Sequence, residues 1–140
     1  MNEAKPASAA PSEPETGLPD DGIDESILHD ILQLSDDGGA DLLRELIAIF
    51  FAEAPARLDH LRGGIVEGDP SRVNRAAHAM KGGAANIGAS RLAGLCGQLE
   101  KQARGGHLDG AAAAVGQIEI ELQRVHGALA RWVAALVAPG

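Results

Sequence analysis

A chain of 140 residues is long enough for one packed domain plus a tail. With 45% hydrophobic residues but only 2% aromatics, its core has to come from Ala, Leu, Ile and Val, which favours close-packed helices over strands. A net charge of −8 argues against a dedicated nucleic-acid binder, and a single cysteine, Cys96, excludes an internal disulfide. No apolar run reaches the roughly 18–20 residues of a membrane span, and the opening residues lack the apolar stretch of a secretory signal, so a soluble cytoplasmic protein is expected.

Residues 1–22 hold four prolines and five acids against Lys5, with no apolar periodicity; the composition predicts a disordered tail or linker. The domain is expected over 23–138. Asp24 is placed to cap a short helix with Ile27, Leu28, Ile31 and Leu32 on one side. SDDGG at 35–39 reads as a loop. A longer helix follows, with Leu42, Leu43, Leu46, Ile47, Phe50 and Phe51 on one side, and Pro55 is expected to break or kink it before Leu58, Leu61 and Ile65 continue the stripe. Asp69-Pro70 is a helix start, cap residue then first helical position, for a helix running from about 70 to 87 and ended by Gly88. Another starts near Ser90, buries Leu92, Leu95, Cys96 and Leu99, and stops at Gly105-Gly106. The last begins near Asp109 and carries Val115, Ile118, Leu122, Val125, Leu129, Trp132 and Leu136 at alternating steps of three and four, the seam of an antiparallel bundle. The fold class expected is all-α: an antiparallel four-helix bundle with one or two short additional N-terminal helices.

The segment 70–88, PSRVNRAAHAMKGGAANIG, carries the chemistry. On a helical wheel at about 100° per residue, Val73, Ala77, Met80, Ala84 and Ile87 form a buried seam, and His78 falls about 140° away from Val73. Its surface neighbours are Ser71, Asn74, Lys81, Gly82 and Ala85. Gly82 and Gly83 stand in a helix interior, where each costs about 1 kcal/mol relative to Ala, so both call for a reason beyond folding. A glycine four residues after an exposed histidine clears the flank of the imidazole for another protein's surface. Lys81, one turn on, reaches whatever His78 carries, and Arg72 and Arg75 add positive charge. An exposed, nucleophilic imidazole among cations on an acidic protein suits a phosphoryl group.

The stretch AHAMKGGAANIGASRLAGLCGQLE, residues 77–100, resembles the histidine phosphotransfer (HPt) domain family, whose pattern runs A-H-x-L-K-G-x-x-x-x-x-G and then L-x-x-x-C-x-x-L-E. Ala77, His78, Lys81, Gly82, Gly88, Leu92, Cys96, Leu99 and Glu100 fall in register. Met80 stands where Leu is common, a volume-conserving exchange. Upstream, Ile23-Asp24, Phe50, Pro55, Leu58, Leu61 and Asp69 also fit, so the resemblance covers about 23–137. It implies that His78 is phosphorylated through Nε2, that Lys81 steadies the phosphoryl group, and that Gly82 permits docking. The implied partner is the receiver domain of a response regulator or hybrid histidine kinase, which brings the Mg²⁺ and most of the catalysis. The chain itself is then a phosphocarrier with no cofactor of its own, exchanging phosphate reversibly between receiver aspartates. The docking surface expected around His78 comprises Gly82, Arg75, Asn74, Ala85 and Ser71, with Ala89 as a further exposed apolar position.

Other residues read more plainly. Gly88 fits a helix C-terminus, Cys96 a small core residue, and Glu100 a polar-face or locally pairing residue with no assigned chemistry. His29, His60, His107 and His126 lack metal-ligand spacing. An alternative function is the phosphoacceptor module of a chemotaxis-type or hybrid sensor kinase. A purely structural bundle leaves the glycines beside His78 unexplained. A monomer with no nucleic-acid or membrane partner is expected.

Overall fold

Five helices follow one another through residues 22–34 and 39–137, the parts of the chain that the computed structural model describes. They are α1 (Glu25–Leu32), α2 (Ala40–Val66), α3 (Pro70–Asn86), α4 (Ser90–Arg104) and α5 (Ala111–Val137). One short helix therefore precedes the four of the bundle. The tail expected over 1–22 lies, save Gly22, outside the described residues, as do residues 35–38 of the expected loop.

The caps act as the sequence predicts. Asp24 accepts a hydrogen bond from the backbone N–H of Ser26 at 3.1 Å and opens α1; Asp69 accepts from that of Arg72 at 3.2 Å and opens α3, with Pro70 in its first turn. Of the break or kink expected at Pro55, the break does not occur: α2 runs on through it. Phe50 and Ala54 before it and Leu61 after it are all buried on one stripe of α2, and this packing outweighs the about 3 kcal/mol a helical proline costs.

In the bundle α3 lies between α2 and α4, and α5 closes against α2 and α4. The α3 seam is buried as the wheel places it: Val73, Ala77, Met80, Ala84 and Ile87 are all at most 1% exposed. Burying side chains the size of Val73, Met80 and Ile87 contributes about 1.5–3 kcal/mol each before entropy costs. The α5 seam is buried from Val115 to Leu129 and is more exposed beyond it. Trp132 is only half-buried, edge-on to His29 of α1, and Leu136 is exposed.

The chain enters the bundle across the α3–α4 turn. The Asp24 N–H donates to the Gly88 carbonyl at 2.7 Å, Ile23 and Ala89 form an isolated antiparallel bridge, and the Arg91 N–H donates to the Gly22 carbonyl at 3.3 Å. Ala89, expected to be exposed, is therefore fully buried, because Ile23 lies over it.

Two adjacent glycines of α3 part company here. A Cβ at Gly83 would stand 2.8 Å from a ring carbon of Phe50, so this glycine lets α2 and α3 close together. Its reason is packing, contrary to the expectation that both needed one beyond the fold. A Cβ at Gly82 would meet nothing within 4 Å. Gly82→Ala is expected to raise stability by about 0.5–1 kcal/mol through helix propensity, whereas Gly83→Ala is expected to lower it by about 1–2 kcal/mol through overpacking. Urea unfolding of the two variants checks the opposite signs.

Candidate functional site

Helix α3 presents His78 on its outer arc because the seam residues on either side commit the opposite arc to the core. The imidazole is 67% exposed. Its Nδ1 lies 2.6 Å from Oε2 of Glu100, a residue of α4 whose side chain is only 5% exposed. The other carboxylate oxygen, Oε1, lies 2.6 Å from the ammonium nitrogen of Lys81. Arg104, one turn after Glu100, donates to Oε2 at 3.1 Å. Asn74, one turn before His78, donates from its side-chain amide to the backbone carbonyl of Glu100 at 3.0 Å. A buried carboxylate thus joins three partly exposed cationic or titratable groups, and the α4 backbone at that carboxylate is tied to α3.

The state of Glu100 fixes the state of His78. The Lys81 hydrogen bond is the largest influence on the carboxyl and pulls it from its ordinary 4.5 down to about 2; burial pushes the other way, and the His78 bond and both charges add to the lowering. Glu100 is therefore ionised at physiological pH and can only accept hydrogen bonds. The 2.6 Å contact then requires Nδ1 of His78 to carry the proton. In the neutral ring Nε2 keeps the lone pair, on an exposed side chain. That is the arrangement of a nucleophilic imidazole whose second nitrogen is held by a carboxylate.

The residues singled out from the sequence do not all converge here. Ser71, Gly82 and Ala85 are exposed on the same helix. Arg75 is exposed, with a guanidinium nitrogen 2.7 Å from Ser71 Oγ. Asn74 is half-buried and turned toward α4, a tie between helices rather than a free docking group. Arg72 leans the other way: it pairs with Glu67 at 2.8 Å and its guanidinium lies over Gly63 of α2. Beside Lys81, the arginine that reaches the site is Arg104, which carries no expectation from the sequence.

Glu100, expected on the polar face or in a local pair and given no chemistry, is buried; it does pair locally with Arg104, and it also pairs across to His78 and Lys81. The signal for it was present: it sits about 80° from Leu92 on the α4 wheel, at the edge of the apolar arc through Cys96 and Leu99, where a carboxylate needs partners. Gly88 and Cys96 fit their plain readings. Gly88 has φ +76° at the end of α3, and Cys96 is fully buried, with its thiol pushed up to about 12 by burial. No group of three or more His, Cys, Asp or Glu side chains among the described residues is arranged to hold a metal ion. No helix among them is long and apolar enough to cross a membrane.

Comparisons with known proteins point to one family. The chain is 26% identical over 95 residues to histidine-containing phosphotransfer protein 2 of Arabidopsis thaliana, a match covering 66% of this chain and 61% of that protein. The chain thus matches about three-fifths of the length of that curated relative. Its structure is similar to the crystal structure of histidine-containing phosphotransfer protein B (HptB) from Pseudomonas aeruginosa PAO1, with a TM-score of 0.69 and 30% sequence identity, covering 81% of this chain and 96% of that one. The Hpt domain profile matches residues 45–128, which include His78, Lys81, Glu100 and Arg104, and the chain belongs to the Hpt domain family.

Proposed function

We propose that this chain is a phosphocarrier of two-component phosphorelays that accepts a phosphoryl group on Nε2 of His78 from a receiver-domain phosphoaspartate and returns it to another receiver aspartate. The observation that carries the reading is the bond from His78 Nδ1 to the buried, ionised Glu100. In the transfer step the Nε2 lone pair forms the N–P bond, the P–O bond to the aspartate breaks, and the aspartate leaves as a carboxylate. The ring gains positive charge and keeps its Nδ1 proton, and Glu100 is already in place against that charge. No proton has to move.

Lys81 and Arg104 would offset the charge of the phosphoryl oxygens, at the cost of loosening their hold on Glu100. Gly82 leaves open space beside His78 for the receiver surface, with Ser71, Arg75 and Ala85 as its rim. On this reading the Mg²⁺ and the in-line catalytic groups belong to the receiver, the carrier works as a monomer in the cytoplasm, and residues 1–22 are a tail or an interdomain linker.

The test is transfer from a phosphorylated receiver domain in the presence of Mg²⁺, read by intact mass, with His78→Gln alongside. An acid-labile gain of about 80 Da that is absent in the variant is the expected result. Labelling that survives in His78→Gln overturns the assignment of His78. Labelling only by an ATP-binding kinase module, and by no receiver in a panel, replaces the relay with the phosphoacceptor module of a chemotaxis-type kinase.

A further inference from the structure

Lys81 reaches Glu100 by crossing the surface of α4, and it crosses at Gly97. A Cβ built on Gly97 would stand 3.3 Å from Cδ of the Lys81 side chain, with no other heavy atom within 4 Å beyond its chain neighbours and its own helix. Gly97 precedes Glu100 by three residues, so the two share a face of α4. The stem of Lys81 lies over the one and its ammonium ends on the other, 2.6 Å from Oε1. At Gly94, one turn earlier, a Cβ would meet nothing. The close approach is thus particular to the Lys81 path. A helix-interior glycine costs stability relative to alanine, and at Gly97 no neighbouring backbone or core side chain demands it.

We infer that Gly97 is a positioning residue: its missing side chain is the berth on which the Lys81 stem lies, and that berth holds the ammonium against Glu100 beside His78. The consequence for phosphoryl transfer rests on the role of Lys81 proposed above; the berth itself does not. A methyl group at position 97 pushes the stem outward by a few tenths of an ångström. The hold of its strongest partner, Lys81, on Glu100 is weakened, while His78 from α3 and Arg104 from its own helix remain as the other charged or titratable groups facing it.

The experiment compares Gly97→Ala with Gly116→Ala in the full chain. Gly116 lies on α5, where a Cβ meets nothing within 4 Å, so it reports the helix-propensity gain alone. Carbon-13 titration of the Glu100 carboxyl and the nitrogen-15 signal of the Lys81 ammonium report the berth directly. Gly97→Ala is expected to move the Glu100 midpoint upward and to shift the Lys81 signal toward that of a solvated lysine, while Gly116→Ala moves neither. Phosphoryl acceptance, or phosphohistidine lifetime, is expected to fall at least about threefold in Gly97→Ala and to show no further loss when Gly97→Ala is added to Lys81→Ala. Unchanged Glu100 and Lys81 signals in Gly97→Ala overturn the berth. Signals that move while Lys81→Ala leaves transfer untouched uphold the berth and remove Lys81 from the transfer step.

Discussion

Replacing Glu100 with alanine is expected to slow phosphoryl acceptance at His78 by about 10- to 100-fold while leaving the bundle folded, the range typical of losing a group that orients a reactive ligand or base. The carboxylate does two things at once. It holds the proton on Nδ1, so that Nε2 keeps the lone pair, and on the proposed function it would face the positive charge that grows on the ring as the N–P bond forms. Without it the ring rotates freely and samples both tautomers. Glu100→Gln is expected to fall between the two: the amide oxygen still accepts from Nδ1, but the negative charge is gone. Stopped transfer followed by intact mass gives the rates.

The stability cost of Glu100→Ala is expected to stay near 1–2 kcal/mol, because His78, Lys81 and Arg104 are exposed enough to rehydrate and the Asn74 bond goes to the backbone. The pH dependence has a definite sign. A carboxyl lowered from 4.5 to about 2 on folding stabilises the native state above 4.5, and that contribution is lost as pH falls through about 2. The wild type is therefore expected to lose more stability than Glu100→Gln between about pH 5 and about pH 2. Urea midpoints at the two ends of that window check it; equal losses in both proteins count against the buried, ionised carboxylate.

Gly88→Ala is expected to produce the opposite phenotype, a destabilised bundle rather than a silent site. The residue has φ +76°, and a Cβ there would stand 2.8 Å from the Asp24 carbonyl oxygen. The left-handed conformation costs a non-glycine residue about 1–2 kcal/mol, and forcing a methyl against backbone adds about 1–3 kcal/mol. A fall in Tm on the order of 10 °C is expected, read by circular dichroism. Gly88→Asn is expected to recover part of the loss, since Asn tolerates this conformation, but not the part that comes from the contact with Asp24. Equal losses in the two variants would assign the whole effect to the contact.

The local signals in the chain determined a good deal. Asp24, Asp69-Pro70 and Gly88 marked helix ends because capping and backbone conformation are properties of a few adjacent residues. The spacing of Val73, Ala77, Met80, Ala84 and Ile87 determined which arc of α3 is buried, and so that His78 is exposed. The resemblance to a phosphotransfer motif rested on the same contiguous stretch. Tertiary structure alone decided the rest, because it depends on the register between helices. Glu100 is 22 positions from His78 and meets it only because α3 and α4 pack antiparallel across the Ile87–Ala89 turn. The same pairing turns Asn74 inward and brings Arg104 in, while packing against α2 takes Arg72 away from the site. It separates Gly83, which Phe50 needs, from Gly82, which nothing within the fold needs. Periodicity places a side chain on an arc of its own helix; which group stands opposite that arc, and whether a charge buried there finds partners, is settled only when the helices dock.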